Sequence, residues 1–379
     1  MNVIRNKKRN FTYLNVSLFI VLAICIVSSI VFVYNNYSFY DQPIAKIQEV
    51  ELKDSKETID MYGNEDRLYT QNIVAQVMNG EDKGRLITFT NEYSKSGAYD
   101  QPFKVGQEIF VEIHQNDQEN ATLTGTITDV KRDKYILIVT WVFILLLLLV
   151  GRRQGLYSIL TLGINATIIS YTLDIYLSRP HWNLVLICGI SVLFFTVISF
   201  LLVNGFNEKT YAAIAATFLA MFVLIVITYL VIWLNDSQGL RYEEMPFLTR
   251  NPETIFMAGV LIGSLGAVMD IAITMSSSIF GLYEKNNEIS FEALKASGMD
   301  IGKDIMGTMT NILFFVYISG SIPTIILYMK NDMDWGYMFT MNLSLELARA
   351  LAGGIGIVLT IPIGIYMTLF FINQKRARQ

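Results

Sequence analysis

Residues 255–279 read IFMAGVLIGSLGAVMDIAITMSSSI, and this stretch decides the fold. A helix needs roughly 20 apolar residues to cross the hydrocarbon core of a bilayer. The stretch meets that length with one ionisable group, Asp270, near its middle. Gly259, Gly263, Gly266 and Asp270 are spaced four, three and four apart, so they share one helical face, which Thr274 and Ser277 continue. Small residues on a face let a neighbouring helix approach closely. A charge at bilayer depth costs roughly 2.5–3.5 kcal/mol on insertion scales, so such a residue turns to the bundle interior and marks function by default. Desolvation also disfavours the charged carboxylate, which makes Asp270 a candidate proton or cation carrier. The competing reading is a structural aspartate, bonded to hydroxyls or paired with an arginine.

Seven further apolar runs flank this one. They cover 14–34, 135–150, 156–177, 184–203 and 212–234 before it, and 312–329 and a stretch within 338–372 after it. The last is too long for one simple span. Pro323 and Pro362 are expected to kink their helices. The composition agrees with a membrane chain. Of 379 residues, 53% are apolar and 16% charged, where soluble proteins average roughly 45–50% and 25%. Disordered chains, disulfide scaffolds and nucleic-acid-binding domains are excluded on the same grounds. Cys25 and Cys188 both fall in apolar runs and are read as buried, inert thiols.

Orientation follows from Lys and Arg, which are retained in the cytoplasm. With the N-terminus inside, Arg5, Lys7, Lys8, Arg9, Arg152, Arg153, Lys209, Lys285, Lys295, Lys303, Lys375, Arg376 and Arg378 lie inside, against Arg179, Arg241, Arg250 and Lys330 in the short outer loops. The first run is read as an uncleaved anchor, because it is longer than a signal-peptide core and lacks a small-residue cleavage site. The expected fold is an all-α polytopic membrane bundle of about eight transmembrane helices, both termini in the cytoplasm, with a small extracytoplasmic β domain. The domains are 1–34, cytoplasmic N-terminus and anchor; 35–134, extracytoplasmic linker and β domain; and 135–379, a seven-helix permease-like part.

Residues 35–134 hold 18 of the 33 acids and 11 of the 29 Lys and Arg, an acidic block inside a basic, apolar chain. Stretches 72–78, 85–90, 108–114 and 122–130 alternate like strands, with a turn pair at Asn79-Gly80. Short strands at this spacing predict an OB- or SH3-like barrel. The polar stretch 48–71 is read as a linker or a first weak strand. No basic, aromatic platform for nucleic acid is present.

Signatures of the common enzymes are missing: no zinc-protease His-Glu pair, no phosphate-cradling Gly-Lys loop, no Gly-x-Ser-x-Gly elbow. His114 and His181 are the only histidines and are read as surface residues. No enzyme activity, cofactor or metal is expected. An intramembrane hydrolase would need a second group at the depth of Asp270, for which only Asp174 or Glu346 could serve. A second polar stripe is Asn342, Glu346 and Arg349, spaced four and three, followed by Gly353, Gly354 and Gly356. Either the last span begins near Leu351 and leaves this stripe on an outer interfacial helix, or the helix runs through and places it inside the bundle. Glu346 and Arg349 then form a local pair, or Arg349 neutralises Asp270 across helices. A third stripe is Asp300, Asp304, Thr308 and Asn311. Asn165 and Asp174 mark the third span. The segment 282–306 holds Phe291, Leu294, Met299, Ile301 and Ile305 among charges, which fits an amphipathic helix on the inner surface or a plain loop helix.

Two blocks carry a resemblance: Gly266-Ala-Val-Met-Asp270-Ile-Ala-Ile-Thr-Met-Ser-Ser-Ser278, and Ser297-Gly-Met-Asp-Ile-Gly-Lys-Asp-Ile-Met-Gly-Thr-Met-Thr-Asn311. Ser319-Gly-Ser-Ile-Pro323, Glu346 and the stretch from Gly353 to Pro362 continue it. The chain resembles the YibE/F family of bacterial multi-pass membrane proteins over nearly its whole length, and its longer, YibE-like members in layout. The resemblance implies a bacterial cell-membrane protein. A weaker similarity is to the membrane parts of resistance–nodulation–division exporters and Sec accessory permeases, where a membrane Asp relays protons. It implies that role for Asp270, with Thr308 or Thr310 as helpers. This chain departs from them in its small outer domain and single set of spans.

Two functions compete. One is a secondary permease or exporter component with Asp270 as proton or cation carrier. The other is a non-transporting scaffold whose β domain binds an envelope partner. The expected partners are the lipid bilayer and, at the small-residue faces, a second copy or a shorter family member.

Overall fold

The computed structural model describes residues 20–97, 100–114, 123–179, 181–236, 239–245 and 250–378. The basic residues Arg5, Lys7, Lys8 and Arg9, the start of the first apolar run and residue 122 lie outside the described residues. The chain divides into two compact units, residues 1–149 and 150–379.

In the first unit, helix α1 (Ile20–Phe39) ends in a tight turn, Asn36–Phe39. Five strands follow: β1 (Ile44–Ile59), β2 (Glu65–Val77), β3 (Leu86–Ser94), β4 (Glu108–His114) and β5 (Leu123–Val130). They close a barrel in the order β1-β2-β3-β5-β4. All pairings are antiparallel except β3 with β5, joined in parallel at Ile87↔Leu123 and Thr88↔Thr124. The period of two is plain in β2, where Gln71, Ile73, Ala75 and Val77 are buried in turn. They meet Ile47, Ile87, Phe89, Ile109 and Val111 in the barrel core. Gly125 lets β4 and β5 close, since a Cβ there would strike the backbone oxygen of Glu112.

The linker reading of 48–71 is corrected. β1 and β2 pair continuously out to Ile59↔Glu65, closed by a turn in which Asp60 N donates to Asn64 O at 3.1 Å. The outer half of this hairpin stands clear of the barrel core, so most of its side chains are exposed and no buried face imprints an apolar alternation.

Helix α2 (Asp133–Ser178) is interrupted at Arg152 (φ 48°, ψ −118°). The runs 135–150 and 156–177 fall on either side of this break. The second unit continues with α3 (Leu184–Asn204), α4 (Glu208–Leu234), α5 (Pro252–Lys285), α6 (Phe291–Ser319), α7 (Ile322–Lys330), α8 (Trp335–Met341) and α9 (Ser344–Arg378). Among the described residues six helices are long and apolar enough to cross a membrane, and α6 with α7, bent by 55°, makes a seventh candidate. The run 312–329 is therefore broken. Ser319 ends α6, and Pro323 sits in the first turn of α7. Pro362 lies inside α9.

α5 and α9 form the centre. Glycines on α9 take the neighbouring side chains: Gly356 faces Leu224 of α4 and Val268 of α5, Gly353 faces Leu313 of α6, and Gly364 faces Met275 of α5. Two hydroxyl contacts tie α2 to α3, Thr172 with Ser191 at 2.6 Å and Asn165 to Ser199 at 3.0 Å. The segment 291–306 is not a separate surface helix. It is the first half of α6, and Leu294, Gly298 and Gly302 are buried. Gly298 meets Ile279 and Ile365, and Gly302 meets Ile361, so the apolar face that suggests a lipid surface is covered by α5 and α9. Cys188 is buried, but Cys25 is exposed on α1.

Candidate functional site

The face of α5 carrying Gly259, Gly263, Gly266 and Asp270 is its least covered one. Gly263, Gly266 and Asp270 are exposed, while Gly259, Thr274 and Ser277 are half-buried. The alternate face, with Val260, Ser264, Val268, Ile271 and Met275, is buried in the bundle. Small residues here leave room that polar groups from other helices enter. A Cβ on Gly259 would stand 3.6 Å from Nε of Arg349. At Gly263 the place of a Cβ is taken by the Tyr317 hydroxyl. At Gly266 nothing lies within 4 Å. Asp270 follows one helical turn deeper and makes no hydrogen bond or ion pair among the described residues. With about 1.5 Å of rise per residue, Asp270 lies about 16 Å along the axis from Gly259. Arg349 therefore does not neutralise it.

Arg349 is paired instead with Glu346, one turn back on α9. Their side chains are 19% and 25% exposed, so the pair is inside the bundle rather than on an outer surface helix. The guanidinium also lies over the Phe256 ring, 5.6 Å from its centroid. Tyr242 packs edge-on against that ring at 6.2 Å. The Tyr317 hydroxyl is within electrostatic reach of both Arg349 and Glu346. Arg349 Nε and Tyr317 Oη, both placed at the glycine face, are buried without a hydrogen-bond partner among the described residues, as are Asn342 Nδ2 and Ser344 Oγ at the start of α9. Of these residues, Asn342, Glu346 and Arg349 are legible as a stripe. Tyr317 and Ser344 are not, because a tyrosine in an aromatic run and a serine at a helix start carry no periodic signal.

The other stripe residues are less engaged. Contacts of Gly298 with Ile279 and of Gly263 with Tyr317 fix α5 antiparallel to α6, and interpolation between them sets Asp270 level with Thr308 and Met309. Thr308 and Asn311 are exposed on α6. Thr310 is half-buried, with its methyl placed 3.5 Å from where Gly354 would carry a Cβ. Ser276, rather than Ser277, makes the cross-helix bond, donating to Lys209 O at 2.7 Å. Asp174, His114 and His181 are exposed. Among the described residues no group of three His, Cys, Asp or Glu is placed to hold a metal.

Residues 139–374 match the YibE/F-like protein family, and residues 38–130 match the YibE/F family N-terminal domain. The chain belongs to the YibE/F family. No curated protein and no solved structure matches it. Its family membership and its apolar helices mark it as a membrane protein. In this YibE/F chain the whole lane from Glu346 to Asp270 falls in the larger matched region.

A second polar cluster lies in the first unit, where the barrel meets α1 and the start of α2. Lys131 and Glu108 are 1% and 2% exposed. Lys131 Nζ lies 3.3 Å from Glu108 Oε2 and 2.7 Å from Asp133 Oδ2, and donates to Val33 O at 3.2 Å. Lys134 and the Tyr37 hydroxyl both reach Glu108 Oε1, at 2.5 and 2.6 Å. Burial pushes the Glu108 carboxyl up, but Lys134, Tyr37 and Lys131 outweigh it and hold the group below the usual carboxylate range. Asn79, half of the expected turn pair, is buried. It accepts from Ile44 N at 2.6 Å and donates to the carbonyls of Tyr37, Tyr40 and Gln42 at 3.0–3.1 Å. Each charge of this cluster has an opposite charge beside it, and its geometry is that of a structural weld.

Proposed function

We propose that this protein is a component of a membrane permease in which protons move along the glycine face of α5, with Asp270 as their carrier. The observation that supports the reading is the order of groups on that face. Glu346 and Arg349 stand at Gly259, the Tyr317 hydroxyl at Gly263, an open gap at Gly266, and an unpaired carboxylate at Asp270. The gap has no side chain to exclude water. A charge on an uncovered face at bilayer depth is costly, so in this reading a second copy or a shorter family member covers Asp270. In this reading α2 crosses twice, on either side of Arg152, and the chain crosses eight times with both termini in the cytoplasm. The barrel then lies outside the cell membrane, and its strand order with the parallel β3–β5 pair fits the OB type.

The test is the transient current of proteoliposomes on a solid-supported membrane under a pH step. Native protein gives a transient, and Asp270→Asn, matched for folding by gel filtration, gives none. A transient of equal size in both refutes Asp270 as carrier. No transient in either, with correctly inserted protein, favours the scaffold reading.

A further inference from the structure

We infer that Arg349 binds an oxyanion, a sulfate- or phosphate-like head, when Glu346 takes up a proton, so that the buried ion pair is a proton-operated anion site. The inference rests on the proton-permease reading of the same lane and supplies the class of its cargo.

The unpartnered buried atoms at the glycine face decide the chemistry. Arg349 Nε can only donate, and the Tyr317 hydroxyl can donate as well as accept. A site with surplus donors calls for an acceptor. The single carboxylate facing them, Glu346, is already bound to one terminal nitrogen of Arg349. An oxyanion fits what is left, because its several oxygens match the fork of a guanidinium and neighbouring neutral donors. Gly259 and Gly263 admit Arg349 and the Tyr317 hydroxyl to the α5 side, and Gly266, with nothing within 4 Å of its Cβ position, leaves open space one turn on. Phe256 holds the guanidinium by its ring face, which consumes none of its N–H groups.

The pair explains the control. With Glu346 ionised, its charge cancels that of Arg349 and repels a second anion. When a proton settles on the Glu346 carboxylate, the ion pair is released. Arg349 is left with its full charge, and Glu346 offers an O–H donor in place of an acceptor. The groups that face Glu346 are Arg349 on its own helix and the Tyr317 hydroxyl from α6, while α5 presents Phe256 and Gly259 to Arg349. Glu253, the acid in the first turn of α5, lines a separate cavity with Asn183 and Trp233. Anion and proton therefore enter together, which couples the site to the lane below it.

The test uses the full chain in uncharged maltoside micelles and sodium sulfate, which keeps its charge from acid to alkaline pH. Sulfate, against chloride at equal ionic strength, is expected to raise the melting temperature of the native protein at acidic pH and to lose that effect at alkaline pH. Glu346→Gln should show the acidic-type rise at both. Arg349→Gln should show none. If Arg349→Gln does not fold, Tyr317→Phe, which removes a single donor, should reduce the rise. A parallel arm replaces sulfate with a short-chain phosphatidylglycerol. A rise with that lipid alone identifies a headgroup as the source of the oxyanion, and a rise with sulfate alone a free anion. No rise with either ligand in native protein and Glu346→Gln at acidic pH overturns the inference. A rise that survives Arg349→Gln means an adventitious ion only and also overturns it. Asp270→Asn should keep the sulfate effect. A lost sulfate effect with intact pH-step currents removes the anion site alone, and a sulfate effect without currents in native protein removes the permease reading alone.

Discussion

Replacing Lys131 with Met keeps an unbranched side chain, one heavy atom shorter, and deletes the charge at the centre of the barrel weld. The substitution removes two ion pairs, at 3.3 Å to Glu108 and 2.7 Å to Asp133, and the bond to Val33 O. Removing one partner of a buried pair costs about 3–5 kcal/mol, because the other charge stays buried. Here Glu108 keeps Lys134 and Tyr37, and Asp133 keeps Asn36 and Tyr40. The cost should therefore fall at the low end, about 3 kcal/mol. At about 1.36 kcal/mol per factor of ten, local opening becomes more frequent on the order of 100-fold. Amide hydrogen exchange of the full chain in micelles measures this directly. Peptides from β4 and β5 should exchange faster by that factor in Lys131→Met, while α9 peptides are unchanged. Adding Glu108→Gln should deepen the loss, because it also takes the carboxylate from Lys134 and Tyr37. Native-like exchange in Lys131→Met, or recovery in the double variant, refutes the reasoning.

Glu108 also sets a pH dependence. Its folded carboxyl lies below the usual range, so its contribution is present above the unfolded value of about 4.3 and is lost as pH falls through the folded value. Protection of the barrel amides should hold from neutral to mildly acidic pH and fall beyond, and Glu108→Gln should flatten that fall. Gly302→Ala puts a Cβ into Ile361. Overpacking of about 1–3 kcal/mol should outweigh the roughly 1 kcal/mol gained in helix propensity, seen as a lower melting temperature in micelles. Gly307→Ala is the control, since nothing lies within 4 Å of its Cβ position, and it should leave the melting temperature unchanged or raise it. Asn79→Ala strips Ile44 N and three carbonyls of their partner. It should cost about 1–3 kcal/mol, read as faster exchange in β1.

The long apolar helices were legible because crossing a bilayer demands about 20 apolar residues in a row, a property of contiguous sequence. The same holds for the glycine face of α5, since 3.6 residues per turn turns spacing into direction. The second half of β2 and strands β3 to β5 were legible, since one face of each is buried. The polar reach of β1 was not, because a hairpin that leaves its core exposes both faces and loses the alternation that identifies a strand. The first half of α6 read as a surface helix for a related reason. Amphipathic pattern states that a face is covered, and whether lipid or α9 covers it depends on residues some sixty positions away. By itself the sequence determined where the apolar runs lie, the central Asp270 and the Asn342–Glu346–Arg349 stripe, while the break between α6 and α7 came only with the structure. Only the tertiary structure decided that Arg349 answers to Glu346 rather than Asp270, that Tyr317 enters at Gly263, and that Lys131 and Asn79 join the barrel to its helices. Those are contacts between distant segments, set by how close two helices or strands can come, and local periodicity carries no record of that distance.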